Sequence, residues 1–375
     1  MRYVFGLIFL LSVLCSEAKQ MRINILDELN TRKMSFSPQQ CDYSMILNED
    51  KIIAVKQQDV ITLSYIGKSQ VHIIKNGISV GTYKKIVFSS EDSLPSFKLS
   101  ITLPKTKVAV YEDVLEVQAY DGELYLFNLV EMPHYIAGVL ESEIGNVRYE
   151  ELLKVQAVIS RTYALKHIDR HKPEGFELCD KVHCQVYHGK SRFNPAIKPA
   201  VDSTGELIVV DESLQLIEAV FSANCGGQTT NSEDIWSKQR SYLRSVCDTF
   251  CITEKQAFWE KRIPKSQWLA YMSKKLNKPV SDPCLIHISD RKVLLPCYEI
   301  SYKDLRGDFK LRSTFFDIDE DGDMIVLKGR GFGHGVGMCQ EGSTRMAALG
   351  YHFTDIIKLY YTNVQVVDAR DLNLE

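Results

Sequence analysis

Residues 329–342 read GRGFGHGVGMCQEG, with glycine at every second position from Gly329 to Gly337. This alternation has the period of a β-strand, so it predicts a strand with one bare backbone face and one face of side chains. Glycine weakens a strand and is tolerated where a ligand or another chain segment must approach the backbone. The spacing matches neither a dinucleotide fingerprint nor a P-loop. The pattern therefore favours a close-approach surface, with a flexible glycine loop as the alternative.

The composition is that of a globular protein. The chain has 375 residues, of which 45% are hydrophobic and 25% charged, enough for one large or two moderate domains. The formal net charge of -3 gives no general attraction to nucleic acid or to an anionic membrane. A nucleic-acid partner is therefore not expected.

The first twenty residues, MRYVFGLIFLLSVLCSEAKQ, place one arginine before an apolar run that ends in the small residues of Ser16-Glu17-Ala18. This order predicts a secretory signal peptide over residues 1–18. No later stretch reaches the roughly 18 continuous apolar residues of a transmembrane helix. We expect an exported protein, periplasmic or at the cell surface, with no transmembrane span in the mature chain unless the signal persists as an anchor.

The order of elements predicts an α+β protein. Residues 19–105 contain short apolar runs separated by turn residues, which indicates a β-rich N-terminal module. A hairpin follows at Asp121-Gly122, and Pro133 begins a helix that ends at Gly145. A longer helix comes next, and strands return after Val201 with one helical insertion. We expect a second region, 106–375, made of a helical lobe and a strand-rich lobe.

One carboxylate interrupts an apolar helix face. Ile136, Val139, Leu140 and Glu143 follow each other at helical spacing, so Glu143 lies on the face that otherwise turns inward. An apolar environment raises the pKa of a carboxyl group and can keep it protonated as a general acid near neutral pH. The alternative is an ion pair with a basic neighbour such as Arg161.

A second candidate site lies in HKPEGFELCDKVHCQVYHG, residues 171–189. His171, Cys179, His183 and Cys184 offer two nitrogens and two thiolates, which suits a closed, structural zinc site. A Cys179–Cys184 disulfide is the competing interpretation, and an exported compartment favours it.

The cysteines also constrain the chain. Ten are present, one of them in the predicted signal peptide, so the mature protein has an odd number and at least one must be free or metal-bound. Cys225, in the segment ANCGG, has no neighbour that would lower its pKa, so we interpret it as a structural thiol.

Three stretches in order carry a family resemblance. The first is NLVEMPHYIAGVLESEIG with LLKVQAVISRTYAL, the second is FSANCGGQT, and the third is GRGFGHGVGMCQEGSTRMAALGYHFTDIIKLYYTNV. Together they resemble the stage II sporulation protein D (SpoIID/LytB) family. Members of that family are peptidoglycan lytic transglycosylases or amidase enhancers. The resemblance is specific over residues 120–365. It implies that region 106–375 is a catalytic domain whose two lobes form a glycan groove.

The resemblance also implies roles for single residues. Glu143 falls at the family's catalytic glutamate, which serves as acid and then as base because the muramoyl C6 hydroxyl attacks its own anomeric carbon. The histidine and cysteine set resembles a zinc site of some members, while the reaction itself needs no cofactor. The implied substrate contacts, with the glycine face as groove floor, are Arg161, Tyr163, Gln185, Tyr187, Ser222, Gly226, Gly227, His334, Gly335 and Gln340.

The chain departs from the family where serine is usual, at Cys225 and Cys339. Two such changes in the two glycine motifs of an exported protein predict a Cys225–Cys339 disulfide. The alternatives are pairing of either cysteine with position 247, 251, 284 or 297, or two buried free thiols.

The resulting hypothesis is a lytic transglycosylase that cuts the MurNAc-GlcNAc bond of peptidoglycan and leaves 1,6-anhydro-MurNAc ends. The alternative is a non-catalytic peptidoglycan-binding module that stimulates a cell-wall amidase. A zinc peptidase is disfavoured because the sequence has no H-E-x-x-H helix.

Overall fold

The computed structural model describes residues 20–372, so the predicted signal peptide lies outside the described residues. Within this range the chain divides after Met132 into two compact units. The architecture is α+β with a strand-rich N-terminal unit, as the sequence predicts. In the described range, no helix has the length and apolar character needed to cross a membrane.

The N-terminal unit consists of two antiparallel sheets. One has the order β1-β12-β11-β8-β3-β4 and the other β10-β9-β2-β5-β6-β7. The strands are β1 (Gln20–Ile25), β2 (Lys33–Pro38), β3 (Tyr43–Leu47), β4 (Lys51–Val55), β5 (Ile61–Tyr65), β6 (Val71–Lys75), β7 (Ile78–Tyr83), β8 (Lys85–Ser89), β9 (Ser96–Leu103), β10 (Lys107–Glu112), β11 (Val114–Tyr120) and β12 (Glu123–Glu131).

Alternating side chains build the core of this unit. Along β2, for example, buried and partly exposed residues alternate, which places Met34 and Phe36 inside. The Phe36 ring stacks on Phe88 of β8 with centroids 4.0 Å apart, so aromatic contacts join the two sheets. The predicted hairpin is confirmed, because Tyr120 pairs with Glu123 across Asp121-Gly122.

The boundary of the first unit differs from the expected position at residue 105. Strands β10, β11 and β12 pair with β9, β8 and β1. Residues 107–131 therefore belong to the N-terminal sheets, and the unit ends only at Met132. The sequence pattern did not reveal this, since a strand run carries no mark of its pairing partner.

The second unit begins with two helices and then alternates short elements. Its elements are α1 (Met132–Ile144), α2 (Glu150–Lys166), β13 (Leu178–Cys179), α3 (Ile197–Ser203), β14 (Leu207–Val210), β15 (Phe221–Ser222), α4 (Ser232–Trp236), β16 (Phe258–Pro264), α5 (Lys265–Leu276), α6 (Tyr302–Asp308), β17 (Phe316–Asp321), β18 (Met324–Arg330), β19 (Met338–Cys339), α7 (Gln340–Ala348), α8 (Phe353–Tyr360) and β20 (Gln365–Asp368).

Two hydrophobic cores organise this unit. In the first, α2 packs against α7 and α8, and the pairs β14–β20 and β15–β19 lie beside them. In the second, the antiparallel sheet β16-β18-β17 packs against α5, with Trp268 fully buried. These cores correspond to the helical and strand-rich lobes expected from the sequence.

The glycine-rich stretch is not the strand that its period predicts. Strand β18 ends at Arg330, and the glycines at 331, 333, 335 and 337 have φ values of +81°, +113°, +77° and +70°. L-residues rarely adopt such values, so each glycine redirects the chain. The alternation therefore reflects repeated left-handed turns, and no bare strand face forms.

The expected close approach does occur, and the approaching group is the protein itself. A Cβ at Gly331 would lie 2.6 Å from Asn224 O, and one at Gly333 would lie 2.7 Å from Ser222 Cβ. A Cβ at Gly337 would lie 2.2 Å from Val220 O. The glycines are required because the segment 220–226 packs directly on this backbone.

Candidate active site

Glu143 lies near the C-terminal end of α1, on the face of the helix that packs inward. Ile136, Val139 and Leu140 on this face are 0% exposed, while Glu143 is only half-buried. Its Oε1 accepts a hydrogen bond of 3.1 Å from the backbone N–H of Val186. The helix thus holds one carboxylate at the edge of an apolar region, as its spacing predicts.

The carboxyl group of Glu143 is protonated more easily in this environment than it would be in water. Burial raises its pKa, and only the Val186 hydrogen bond opposes the shift. Among residues 20–372, no basic side chain pairs with Glu143. The group therefore has the character of a general acid.

Arg161 does not pair with Glu143 and does not face a ligand. It is 1% exposed and donates hydrogen bonds to Leu207 O at 2.9 Å and to Thr204 Oγ1 at 3.3 Å. The alternative interpretation of Glu143 as an ion-pair partner is wrong, and Arg161 holds α2 to the chain around β14. Arg161 does not reach a substrate as predicted, because its guanidinium group is enclosed by protein.

Gln185 and Tyr187 contact α1 and hold it in position. Tyr187 is 1% exposed and packs against Tyr135, and Tyr135 Oη donates to Gln185 Oε1 at 3.3 Å. A Cβ at Gly138 would lie 2.2 Å from Gly189 O, so the loop 185–189 touches the helix backbone. Both residues, expected to contact substrate, are buried and instead fix the position of the Glu143 helix.

The neighbouring Glu141 has a different task. Its carboxylate accepts hydrogen bonds from the backbone N–H groups of Arg192, Phe193 and Asn194 and from the Ser191 hydroxyl, between 2.7 and 3.1 Å. With these four donors the Glu141 carboxylate orders the loop 191–194. Glu141 is therefore structural, although it lies only two residues from Glu143.

The four predicted metal ligands come together. One ligand atom from each of His171, Cys179, His183 and Cys184 lies within 4.8 Å of all the others. Cys179 and Cys184 are separate thiols, so the competing disulfide is not formed. Within the described residues, Nε2 of His171 is buried without a hydrogen-bond partner. An orphaned nitrogen beside two thiols fits a tetrahedral zinc ion.

Neighbouring side chains orient this cluster. Glu174 Oε1 lies 2.8 Å from Nδ1 of His171, which directs Nε2 toward the cysteines, as in carboxylate–histidine–metal arrangements. A hydrogen bond with Cys179, aided by Arg170, lowers the pKa of Cys184 to about 6, and the same hydrogen bond raises the pKa of Cys179 to about 12. One thiolate of the pair is therefore accessible near neutral pH, and metal binding would displace the proton of the other thiol.

An open cleft of about 320 Å³ adjoins the metal cluster, and we call it the Trp236 cleft. Tyr163 on its wall accepts a hydrogen bond of 3.1 Å from Arg170, which also donates to His183 O. Trp236 is 44% exposed, so it presents an aromatic surface to solvent. The cleft is lined by Tyr163, His167, Arg170, Glu218, Val220, Ser232, Trp236, Lys238, Arg240 and Leu243.

His334 connects the glycine-rich segment to this cleft. Its ring lies 5.0 Å from the Trp236 ring, and its Nδ1 accepts a hydrogen bond of 3.0 Å from Val336 N–H. Burial, with Arg306 nearby, lowers the pKa of His334 to about 4. The imidazole is therefore neutral at pH 7, with its Nε2 side protonated.

This shift predicts a pH dependence of stability. The pKa of His334 is depressed in the fold, so its contribution is full above the ordinary value near 6.5 and is lost as pH falls toward about 4. In thermal melts, the loss of Tm between pH 6.5 and 4 should be smaller for His334→Gln than for the wild-type protein. Parallel Tm curves for the two proteins would contradict the assignment.

Ser222 and Gln340 lie beside the glycine motifs. Ser222 pairs with Cys339 in the parallel β15–β19 ladder, and Gln340 follows directly. Within the described chain, Ser222 Oγ and Gln340 Nε2 are buried without a hydrogen-bond partner. Each of these groups is able to bond a polar ligand atom that reaches it.

The glycines expected to form a groove floor lie close to other parts of the chain. A Cβ at Gly226 would lie 2.6 Å from the Arg330 backbone, and one at Gly335 would lie 2.7 Å from the Arg291 guanidinium. A Cβ at Gly227 would lie 3.3 Å from Cγ2 of Ile252, and Gly227 is only partly buried. Other parts of the chain therefore cover Gly226 and Gly335, while contact of Gly227 with sugar stays a prediction.

The predicted Cys225–Cys339 disulfide is also absent. Both residues are buried free thiols, and Cys225 N–H donates to Cys339 Sγ at 3.3 Å. The two motifs do meet, but through backbone pairing and thiol contacts. Cys284 and Cys297 form the disulfide found within residues 20–372.

Sequence reasoning missed Trp236 and Arg170 as cleft residues. A tryptophan in the polar segment TTNSEDIW, directly after a glycine motif, is a signal that could have been noticed. Arg170 gave no signal, because its role depends on the turn that brings it back to Tyr163 and His183.

Comparison with known proteins places these features in a family context. Residues 120–210 match the profile of SpoIID, the stage II sporulation protein. An uncharacterized protein of Brachyspira hyodysenteriae is 30% identical over 308 residues, which cover 79% of this chain and 80% of that protein. Stage II sporulation protein D of Bacillus amyloliquefaciens is 28% identical over 306 residues, 73% of this chain and 86% of that protein.

A further relative has a different name. The amidase enhancer of Bacillus subtilis is 26% identical over 289 residues, which cover 60% of this chain but 39% of that longer protein. The matched SpoIID region, residues 120–210, includes Glu143 and the whole histidine and cysteine cluster.

Proposed function

This chain belongs to the SpoIID family, and from that premise we propose that it is an exported lytic transglycosylase of peptidoglycan with Glu143 as its single acid and base. Family membership implies a role at the cell wall. The observation that carries the finer proposal is the half-buried carboxyl of Glu143, whose pKa is raised and which has no ion-pair partner in the described chain.

The proposed reaction needs one carboxyl group. Protonated Glu143 donates its proton to the glycosidic oxygen as the bond to the anomeric carbon of MurNAc breaks. The C6 hydroxyl of the same sugar then attacks that carbon, and the Glu143 carboxylate takes up the hydroxyl proton. A 1,6-anhydro-MurNAc end results, and the glutamate regains its starting state without a water molecule being consumed.

Residues near the Trp236 cleft are suited to hold the glycan. Trp236 offers an exposed aromatic face on which a sugar ring can stack, and Tyr163 and His334 border the same region. Ser222 and Gln340 supply a hydroxyl and an amide that lack partners in the described chain. We propose these five as substrate contacts, with Glu143 at the scissile bond.

The second candidate is a peptidoglycan-binding enhancer of a cell-wall amidase. The similarity to the B. subtilis amidase enhancer favours it. In this case the cleft would hold a glycan strand without cutting it, and the partner would be the amidase.

One experiment separates the two candidates. Purified mature protein would be incubated with sacculi, both intact and pretreated with an amidase, and the soluble products would be analysed by mass spectrometry. Lytic transglycosylase activity gives products with 1,6-anhydro-MurNAc ends. If neither substrate released such products, and if an added amidase removed stem peptides faster in the presence of this protein than alone, the enhancer function would replace our proposal.

We also propose that His171, Cys179, His183 and Cys184 hold a structural zinc ion. All four ligand positions are filled by protein, so the ion would cross-link the loop 171–184 and would not bind substrate. The loop continues directly into Val186, whose N–H bonds Glu143, so the ion would fix this part of the active site.

The zinc proposal predicts an effect on stability. The Cys179→Ser/Cys184→Ser variant should contain about one zinc fewer per chain than the wild-type protein and melt several degrees lower, because metal binding energy is folding energy. Elemental analysis and calorimetry measure both. Equal zinc content in the two proteins would overturn the proposal.

A further inference from the structure

A second cluster of metal-ligand side chains lies in the core beside the glycine motifs. Cys225, Asp248, Cys251 and Cys339 each offer a ligand atom, and these atoms lie within 4.8 Å of one another. All four residues are 0% exposed. They come from three distant segments, around positions 225, 248–251 and 339. We call this group the Cys3Asp cluster.

The buried carboxylate of Asp248 is unusual, because no cation accompanies it. It is fully buried, and no Lys, Arg or His of the described residues forms an ion pair with it. Its Oδ2 accepts a hydrogen bond of 3.0 Å from Tyr360 Oη, and its Oδ1 accepts one of 3.0 Å from Phe250 N–H. Buried carboxylates are normally paired or bound to a metal, because an isolated buried charge is costly.

The sulfur atoms have the surroundings of metal-bound thiolates. Cys339 Sγ accepts N–H groups from Cys225 at 3.3 Å and Gly342 at 3.4 Å. Cys251 Sγ accepts the N–H of Gly227 at 3.3 Å. Backbone N–H groups that converge on sulfur stabilise negative charge there, as in metal–thiolate centres.

From this arrangement we propose a second structural zinc site, held by Cys225, Asp248, Cys251 and Cys339. With bonds of about 2.3 Å, a tetrahedral ion separates two sulfur ligands by roughly 3.8 Å. Cys225 Sγ and Cys251 Sγ are 3.5 Å apart, close to that distance and well beyond a disulfide bond. The four protein ligands leave no open position, so the ion is structural.

The composition of the cluster disfavours a disulfide as its end state. Three cysteines allow one bridge, which would leave the third thiol unbridged and the buried Asp248 with hydrogen bonds but without a cation. A zinc ion uses all four groups and releases their protons on binding. The partly buried Arg291 donates to the backbone oxygen of Cys225 and lies near the thiols, where it offsets part of the excess negative charge of three thiolates and one carboxylate around a divalent ion.

The site would connect the segments that carry Ser222 and Gln340, whose Oγ and Nε2 atoms lack hydrogen-bond partners within the described residues. Ser222 pairs with Cys339, and Gln340 follows it at the start of α7. A zinc ion bound to Cys225 and Cys339 would therefore fix Ser222 and Gln340 relative to each other. The ion would take the place of the disulfide expected between the two motifs. The turn 247–251 would supply its other two ligands, Asp248 and Cys251.

Zinc content tests the proposal. Purified mature protein, prepared without chelator, should lose about one zinc per chain on Cys251→Ser substitution, measured by elemental analysis. Cys247→Ser is the matched control, because Cys247 lies in the same turn but is exposed, and it should keep the wild-type zinc content. Since the result is a difference from wild type, it does not depend on whether the His171 cluster binds zinc.

A second variant covers the case in which Cys251→Ser does not fold. Cys225→Ser/Cys339→Ser introduces the residues usual in the family and should also lose about one zinc. Replacement of zinc by cobalt should give thiolate-to-metal absorption in wild type that decreases in this variant. Unchanged zinc content in the folded variants, or a disulfide among the three cysteines in a non-reduced peptide map, would overturn the proposal.

Discussion

Substitution of Glu143 by glutamine is expected to lower the formation of 1,6-anhydro products by about 10²- to 10⁴-fold, the usual contribution of a general acid. Glutamine keeps the shape and can still accept the Val186 N–H bond, but it cannot donate and recover a proton. The fold should not suffer. Burial raises the pKa of Glu143, so its ionised form is disfavoured in the folded protein at neutral pH, and the neutral amide removes that cost. Product analysis by mass spectrometry and thermal melting measure the two effects.

Glu150→Gln is the appropriate control. Glu150 belongs to the next helix, is 70% exposed and pairs with Lys154 at 2.7 Å, an interaction of small energetic weight. Glu141 is unsuitable, because its loss would release the loop 191–194. If Glu143→Gln kept a tenth of the wild-type rate, Glu143 would not be the catalytic acid. Glycan binding by the inactive variant is still expected.

The sequence predicts best those features that depend on neighbouring residues. Asp121-Gly122 marks a hairpin and Pro133 with Gly145 mark a helix, because turn and cap preferences act over a few positions. The Glu143 anomaly was visible for the same reason, since helical spacing alone puts a carboxylate on an apolar face. The four residues from His171 to Cys184 form one short span, and they do come together.

Features that depend on distant contacts were not predictable in the same way. Arg161 is enclosed by groups some forty residues away, at Thr204 and Leu207. The Cys3Asp cluster joins segments that no local pattern connects, so Cys225 and Cys339 suggested a disulfide, Cys251 entered only as one alternative partner, and Asp248 was not considered. A cysteine count cannot show which side chain completes a site.

The glycine-rich stretch 329–342 shows what a local sequence pattern cannot decide. Its period of two is compatible both with a strand and with a series of left-handed turns, and only the φ values decide between them. The sequence predicted that something approaches the backbone closely. It could not show that the approaching group is the segment 220–226 and not a sugar, because both need the absence of a Cβ atom.

This interpretation leads to the second large effect that we expect, on substitution of Gly337 by alanine. The new Cβ would lie 2.2 Å from Val220 O, and φ at this position is +70°. The carbonyl cannot move away, since it accepts Met338 N–H at 3.1 Å and Tyr361 Oη at 2.8 Å. Backbone strain and overpacking together should cost about 3 kcal/mol or more of unfolding free energy.

Gly322→Ala separates the two causes of this loss. Gly322 also has a positive φ, +59°, but it lies in the turn between β17 and β18, and a Cβ there would meet nothing within 4 Å. It should therefore cost only the conformational part, about 1 kcal/mol. Denaturant unfolding followed by tryptophan fluorescence measures both variants, since the three tryptophans, 236, 259 and 268, all lie in the second unit. Equal losses for the two variants would mean that left-handed backbone alone explains the glycines and that the packing of segment 220–226 on Gly337 adds nothing. A larger loss at Gly337 would show that the motif is built for contact between two chain segments, which is the arrangement that pairs Ser222 with Cys339.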